Sequence, residues 1–285
     1  GLGGTRSVAL GEACDVACDG ATPRFGAWLS AIGSTGNVAG DANAAGLTYT
    51  FGGTAFGIDY RLDPRFLVGV AGGYVSGTQW VNGFTGNGYV DIFNVALYGS
   101  FNQGGFYTDA LVGYANANNR LQRVINAPGL PTGITNGSTS ANQFLGQIET
   151  GYRIGLDFPA NTSISPFARL QVGAANQAGF TESGGSFYNL TVASQNTTSL
   201  RSTIGIDLAA GFDLGGGTPL TIGLRLGWLH EYADTARPMT AAFAAAPAGQ
   251  FTVFGATPQR DSAVLGLSAV AALNETMSLY LNYDG

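Results

Sequence analysis

The sequence predicts an all-β fold, a transmembrane antiparallel β-barrel. Three observations carry this reading. Charged residues make up only 11% of the chain, no run of about 18 apolar residues occurs, and apolar and polar residues alternate over long stretches. A soluble domain usually carries about 25% charged residues and uses them to stay dispersed, so a chain this poor in charge has another solvent. Without an apolar helix, a closed barrel is the remaining structure that satisfies every backbone group in lipid. A soluble Gly-rich β-solenoid also tolerates low charge, but it requires a short sequence repeat, and the chain has none.

Alternation predicts eleven strands: 24–34, 47–62, 66–80, 88–102, 106–121, 141–158, 163–176, 200–214, 219–232, 261–273 and 276–284. The stretch 200–214 is the clearest. Leu200, Ile204, Ile206, Leu208 and Phe212 share one face, while Arg201, Thr203, Asp207 and Asp213 occupy the other. In 143–158, Phe144, Ile148, Tyr152 and Ile154 oppose Gln143, Gln147, Glu149, Arg153 and Asp157. In 220–231, Leu220, Ile222, Leu224, Leu226 and Trp228 oppose Thr221, Arg225 and Glu231. A two-sheet sandwich alternates as well, but its bulk-exposed face is richer in Lys. The mixture of Arg, Asp, Glu, Gln and Gly suits a water-filled lumen.

Connections alternate in length. Asp63-Pro64-Arg65, Gln103-Gly104-Gly105, 159–162, 215–218 and Asn274-Glu275 are tight turns; 35–46, 81–87, 122–140, 177–199 and 233–260 are longer. Short turns at one end and long loops at the other is the asymmetry of outer-membrane barrels, with the short end periplasmic. Bacterial single-chain barrels have an even strand number, so twelve strands are expected, with eleven visible and the last missing after Tyr283-Asp284-Gly285. The expected organisation is therefore a linker or pore-threading segment over 1–22 and a C-terminally truncated barrel domain over 23–285. The start at Gly1, without a signal peptide, reads as a fragment of a longer precursor. Cys14 and Cys18 leave two readings open: a small disulfide loop in an oxidising compartment, or two free thiols.

Strand parity places thirteen charged residues on the lumen side: Arg24, Asp59, Arg61, Asp109, Glu149, Arg153, Asp157, Arg169, Arg201, Asp207, Asp213, Arg225 and Glu231. They either grip a threaded segment or pair with one another across the wall. Trp28, Trp80 and Trp228, with Tyr and Phe near strand ends, suit interfacial girdles. Gly72 and Gly73 before Tyr74, and Gly151 before Tyr152, suggest rings lying over neighbouring backbone. His230 is the only histidine, and Glu231 points to the opposite strand face, so neither a metal nor a catalytic role is expected. His230 belongs near the extracellular rim. No nucleophile elbow or phosphate loop occurs; no enzyme activity and no cofactor are expected. The net charge of −6 argues against nucleic acid as a partner.

The run Arg225-Leu226-Gly227-Trp228-Leu229-His230-Glu231-Tyr232, then Arg260-Asp261-Ser262-Ala263-Val264-Leu265-Gly266-Leu267, then Leu279-Tyr280-Leu281-Asn282-Tyr283-Asp284-Gly285, resembles the autotransporter (type V secretion) β-domain. Phe56-Gly57-Ile58-Asp59-Tyr60-Arg61 and Val70-Ala71-Gly72-Gly73-Tyr74 resemble that family's second and third strands. The resemblance spans roughly 24–285. It implies a bacterial outer-membrane anchor that exports or displays an N-terminal passenger. The implied partners are outer-membrane lipid, an upstream passenger segment threading the pore, and the barrel-assembly machinery. Family members end in a strand closing on an aromatic residue and carry a helix before the first strand. Neither is seen here, and the glycines of 1–22 disfavour a helix. The alternative is a free-standing outer-membrane porin or adhesin whose long loops bind a ligand.

Overall fold

The computed structural model describes residues 24–42, 44–81, 86–126, 128–156, 161–213, 215, 218–233, 235–236, 238–255, 257–274 and 277–285. The 1–22 segment, Cys14, Cys18 and Asp157 lie outside the described residues. In chain order the strands are β1 (Phe25–Val38), β2 (Leu47–Asp63), β3 (Phe66–Val81), β4 (Gly86–Gln103), β5 (Phe106–Ile125), β6 (Gly133–Tyr152), β7 (Ile154–Gly155) and β8 (Ser163–Gln177). They continue as β9 (Phe180–Thr181), β10 (Leu190–Val192), β11 (Gln195–Asp213), β12 (Pro219–Glu231), β13 (Pro238–Phe243), β14 (Phe251–Phe254), β15 (Asp261–Asn274) and β16 (Met277–Asp284).

Eleven long strands form one antiparallel meander in the order β1-β2-β3-β4-β5-β6-β8-β11-β12-β15-β16, with β7 paired on β8. These are the eleven predicted from alternation. The sheet curls so that its outer strands approach: the Tyr280 hydroxyl of β16 donates to the Leu29 carbonyl of β1 at 3.3 Å. The short turns are set by local chemistry. Asp63 accepts from the backbone N–H groups of Arg65 at 2.7 Å and Phe66 at 3.2 Å, and Gly104 takes the left-handed φ of +59° that the β4–β5 turn requires.

At the long-loop end the strands outrun their predicted limits. β5 and β6 stay paired out to Ile125 and Gly133, β1 reaches Val38, and β11 begins at Gln195. Beyond the hydrocarbon both faces of a strand meet polar surroundings, so alternation stops while backbone pairing continues. The predicted loops 177–199 and 233–260 also contribute a second sheet, ordered β14-β13-β10-β9. Thr181 faces Thr191 at 3.1 Å and Thr240 faces Thr252 at 2.9 Å across its ladders. Strands of two to six residues are too short to register as a period.

The outward face carries exposed Val68, Val70, Phe93, Val95, Leu97, Val112, Phe144 and Ile148. Two aromatic rows bound this band on β3 to β6. Phe66, Phe101, Phe106 and Tyr152 lie near the short turns; Tyr74, Phe93, Tyr114 and Phe144 lie each eight residues further along the same four strands. Rings touch within both rows: Phe66–Phe101 at 4.6 Å, Tyr74–Phe93 at 4.9 Å and Tyr114–Phe144 at 5.2 Å between centroids. Eight residues span ~26 Å of strand, or ~20 Å of height at the tilt usual in such barrels, close to the thickness of an apolar band.

Trp80 and Trp228 lie on this outer face. Trp28 does not, which corrects its expected place in a girdle. It alternates with the exposed Leu29, turns inward, and its Nε1 donates to the Tyr98 hydroxyl at 2.8 Å. Gly57 makes this possible, because a Cβ there would lie 2.5 Å from the indole ring. Gly151 likewise makes room for a ring, but for Tyr107 of the adjacent strand rather than for Tyr152. Gly57→Val is therefore expected to displace Trp28 and cost about 1–3 kcal/mol. In unheated SDS gels, the temperature at which the compact band is lost should fall for this variant.

Candidate functional site: the charged inner face

The inner face gathers polar side chains that alternation placed there. Its centre is Glu149 on β6, only 1% exposed. Arg169 of β8 donates through Nε to Glu149 Oε2 at 2.6 Å. Arg225 of β12 reaches across the intervening strands and donates to both Glu149 oxygens, at 3.1 Å and 3.0 Å. The same guanidinium engages Asp207 of β11 bidentately, at 2.7 Å and 2.6 Å, and lies 4.1 Å from the Phe167 ring centroid. Tyr107 of β5 donates to Glu149 at 3.3 Å. Five neighbouring strands are thus joined through one cluster.

Register explains the meeting. Glu149 is the direct cross-strand partner of Arg169, and Asp207 of Arg225. Two carboxylates and two guanidiniums cancel in charge, and each guanidinium presents a planar fork suited to carboxylate oxygens. Asp109 stands in register between Ser100 and Glu149. One layer further along, Gln171 donates to Gln147 at 2.8 Å.

A second group lies where β12 ends. Glu231 accepts from Arg201 Nε at 2.9 Å and from the backbone N–H groups of Leu200 at 2.8 Å and Ala233 at 3.0 Å. Arg260 donates to the Glu231 carbonyl at 3.2 Å and that of Ala233 at 3.0 Å. His230, facing the other way, pairs through Nδ1 with Asp261 at 2.8 Å. Asp261 also accepts from Trp228 at 3.1 Å. Among the described residues no group of three or more His, Cys, Asp or Glu is arranged to hold a metal.

Of the thirteen residues named from parity, Glu149, Arg169, Asp207 and Arg225 form one cluster, and Arg201 and Glu231 form another. Asp59 accepts from Tyr98 at 3.1 Å, beside Trp28. The Arg24 carbonyl accepts from the Arg61 N–H at 2.8 Å, and Arg153 donates its N–H to the Gly105 carbonyl at 2.6 Å. Asp213 sits at the β11–β12 turn and accepts from the Gly215 N–H at 2.8 Å. Tyr107, Phe167, Trp28 and Tyr98 were missed as inner-face residues. Tyr107 shares parity with Asp109, so the signal was available; aromatic rings simply read as lipid-facing.

This two-faced wall is the decisive observation, and comparison with known proteins agrees with it. The chain matches the autotransporter beta-domain family over residues 27–284. It belongs to that family. The translocator domain of autotransporter NalP from Neisseria meningitidis has a similar fold, with a TM-score of 0.68 at 14% identity, covering 98% of this chain and 89% of that one. The β-domain of the Bordetella autotransporter BrkA aligns with a TM-score of 0.64 at 20% identity, over 92% of each chain. The transport unit of AIDA-I from Escherichia coli gives 0.53 at 12% identity, over 98% of this chain and 92% of that one. No curated protein sequence matches the chain. The chain is thus an outer-membrane β-barrel domain of type V secretion, with a translocator and anchor role for a passenger.

The central cluster yields a contrast. Glu149→Ala removes the buried carboxylate shared by Arg169 and Arg225 and should destabilise by about 3–5 kcal/mol. Arg201→Ala removes a partly exposed arginine whose buried carboxylate partner keeps its backbone donors, and should cost about 0–1 kcal/mol. Urea-unfolding midpoints of the detergent-refolded protein check the order.

Proposed function

We propose that this barrel exports a passenger joined to its N-terminal side and then holds it at the cell surface, and that residues 1–22 connect the two through the lumen. The charged inner-face residues line that lumen, chiefly paired with one another. The chemistry is non-covalent, without cofactor or catalysis. The observation that carries the reading is the membership of residues 27–284 in the autotransporter beta-domain family, on a wall apolar outside and charged within.

A second reading, a free-standing porin or adhesin, draws on the folded loops. The small sheet exposes Met239, Phe243, Val253 and Phe254, and Phe187 lies exposed beside it, a surface able to meet a ligand.

One experiment separates them. An epitope-tagged reporter is placed ahead of residue 24, and intact cells are labelled with antibody. The translocator reading expects labelling on unbroken cells. If the tag is reached only after the outer membrane is opened, while the barrel still shows its heat-dependent gel shift, export fails. Steady conductance in planar bilayers would then favour the porin.

A further inference from the structure

Past the upper aromatic row, the outer face of β4, β5 and β6 changes character. Tyr89 lies four residues beyond Phe93, Arg120 six beyond Tyr114, and Ser138 six before Phe144. At about 3.3 Å per residue and the usual strand tilt, these positions stand roughly 10–15 Å above the girdle. An ordinary headgroup layer reaches only ~5–8 Å beyond the hydrocarbon. In the outer leaflet of this membrane, the material bordering the wall at that height is the sugar of the resident glycolipid.

The wall there is not the charged surface that water alone would call for. Tyr89, Arg120, Gln122, Asn136 and Ser138 line a groove of about 460 Å³, closed on one side by Thr181 and Ser183. Ser183 is held in place by reciprocal backbone bonds with Asn136, both 2.8 Å. Gln122 donates to Asn136 at 3.2 Å, and Asn87 donates to the Tyr89 hydroxyl at 3.0 Å, so the amides are oriented before any ligand arrives. The Tyr89 ring is exposed. Arg120 contacts Asp91 at 2.5 Å through one terminal nitrogen yet is 68% exposed, leaving donors on its outward edge. Asp91 is already engaged by Tyr74 at 2.7 Å and Ser76 at 2.8 Å. Paired amides match vicinal hydroxyls, an exposed phenol ring offers a stacking face, and a guanidinium edge suits a phosphate or sugar acid.

We propose that this groove binds the oligosaccharide headgroup of the outer-leaflet glycolipid against the barrel wall. The inference rests on the barrel's place in the outer membrane and is independent of passenger export. Contacts made there tie the long-loop end to its leaflet and hold the β9 segment down on β6.

The test uses the full chain refolded in an amine-oxide detergent, with lipid binding read by native mass spectrometry. The probes are rough-type lipopolysaccharide and the lipid A released from it by mild acid, which keeps the acyl chains but lacks the core sugars. The wild-type barrel should retain rough lipopolysaccharide at least about tenfold more tightly than lipid A. The Tyr89→Ala/Gln122→Ala variant, shown to be folded by its heat-dependent gel shift, should lose that advantage while binding lipid A unchanged. Equal retention of the two lipids by the wild type, or a variant that keeps the preference, overturns the proposal. So does released core oligosaccharide binding as tightly as the intact lipid, which would make the groove a site for soluble sugar.

Discussion

The constraint on which this structure depends is that a strand in the bilayer must close all its backbone hydrogen bonds while its two faces meet two different solvents. Each residue therefore belongs to one solvent or the other, and the assignment alternates along the span. Val95 and Leu97 face lipid while Ala96 and Tyr98 face inward. Leu226 faces lipid while Arg225 is buried against its partners. A slip of one residue would reverse every one of these choices.

The central cluster turns that constraint into a lock on register. Asp207 meets Arg225, and Glu149 meets Arg169, only in the observed alignment of β11 with β12 and β6 with β8. Moving β12 by one residue would lose four charge-assisted hydrogen bonds and bring Arg225 to the lipid face, where an arginine costs ~2–4 kcal/mol at the midplane. An apolar inner face would pack without specifying a register so sharply. Because Arg225 also bridges to Glu149 past two intervening strands, the same side chain sets curvature as well as pairing. A flat sheet would place those groups out of reach.

How much of this was legible follows from the same physics. All eleven long strands were readable because two solvents impose a strict period, and the short turns because Asp63 and Gly104 announce them. The strand ends beyond the membrane were not, since pairing there continues between two wet faces with no period to detect. Parity put Glu149, Arg169, Asp207 and Arg225 on one face; it could not say that they converge, because that depends on inter-strand register and curl. Trp28 was misplaced for a related reason. Its amphipathic ring suits an interface, and only the glycine opposite it on β2 reveals that the indole is accommodated inside.

The pairing of the central charges bears on the export proposed above. Unpaired charges lining a conduit would bind a threaded segment of opposite sign and repel one of like sign. Here the two central carboxylates are engaged by the two central guanidiniums, and Glu231 is taken up by Arg201 and backbone donors. Charges paired in this way present a smaller field to a passing chain than unpaired ones would. On the export proposed above, a segment passing this cluster would meet it through hydrogen bonds rather than through salt bridges.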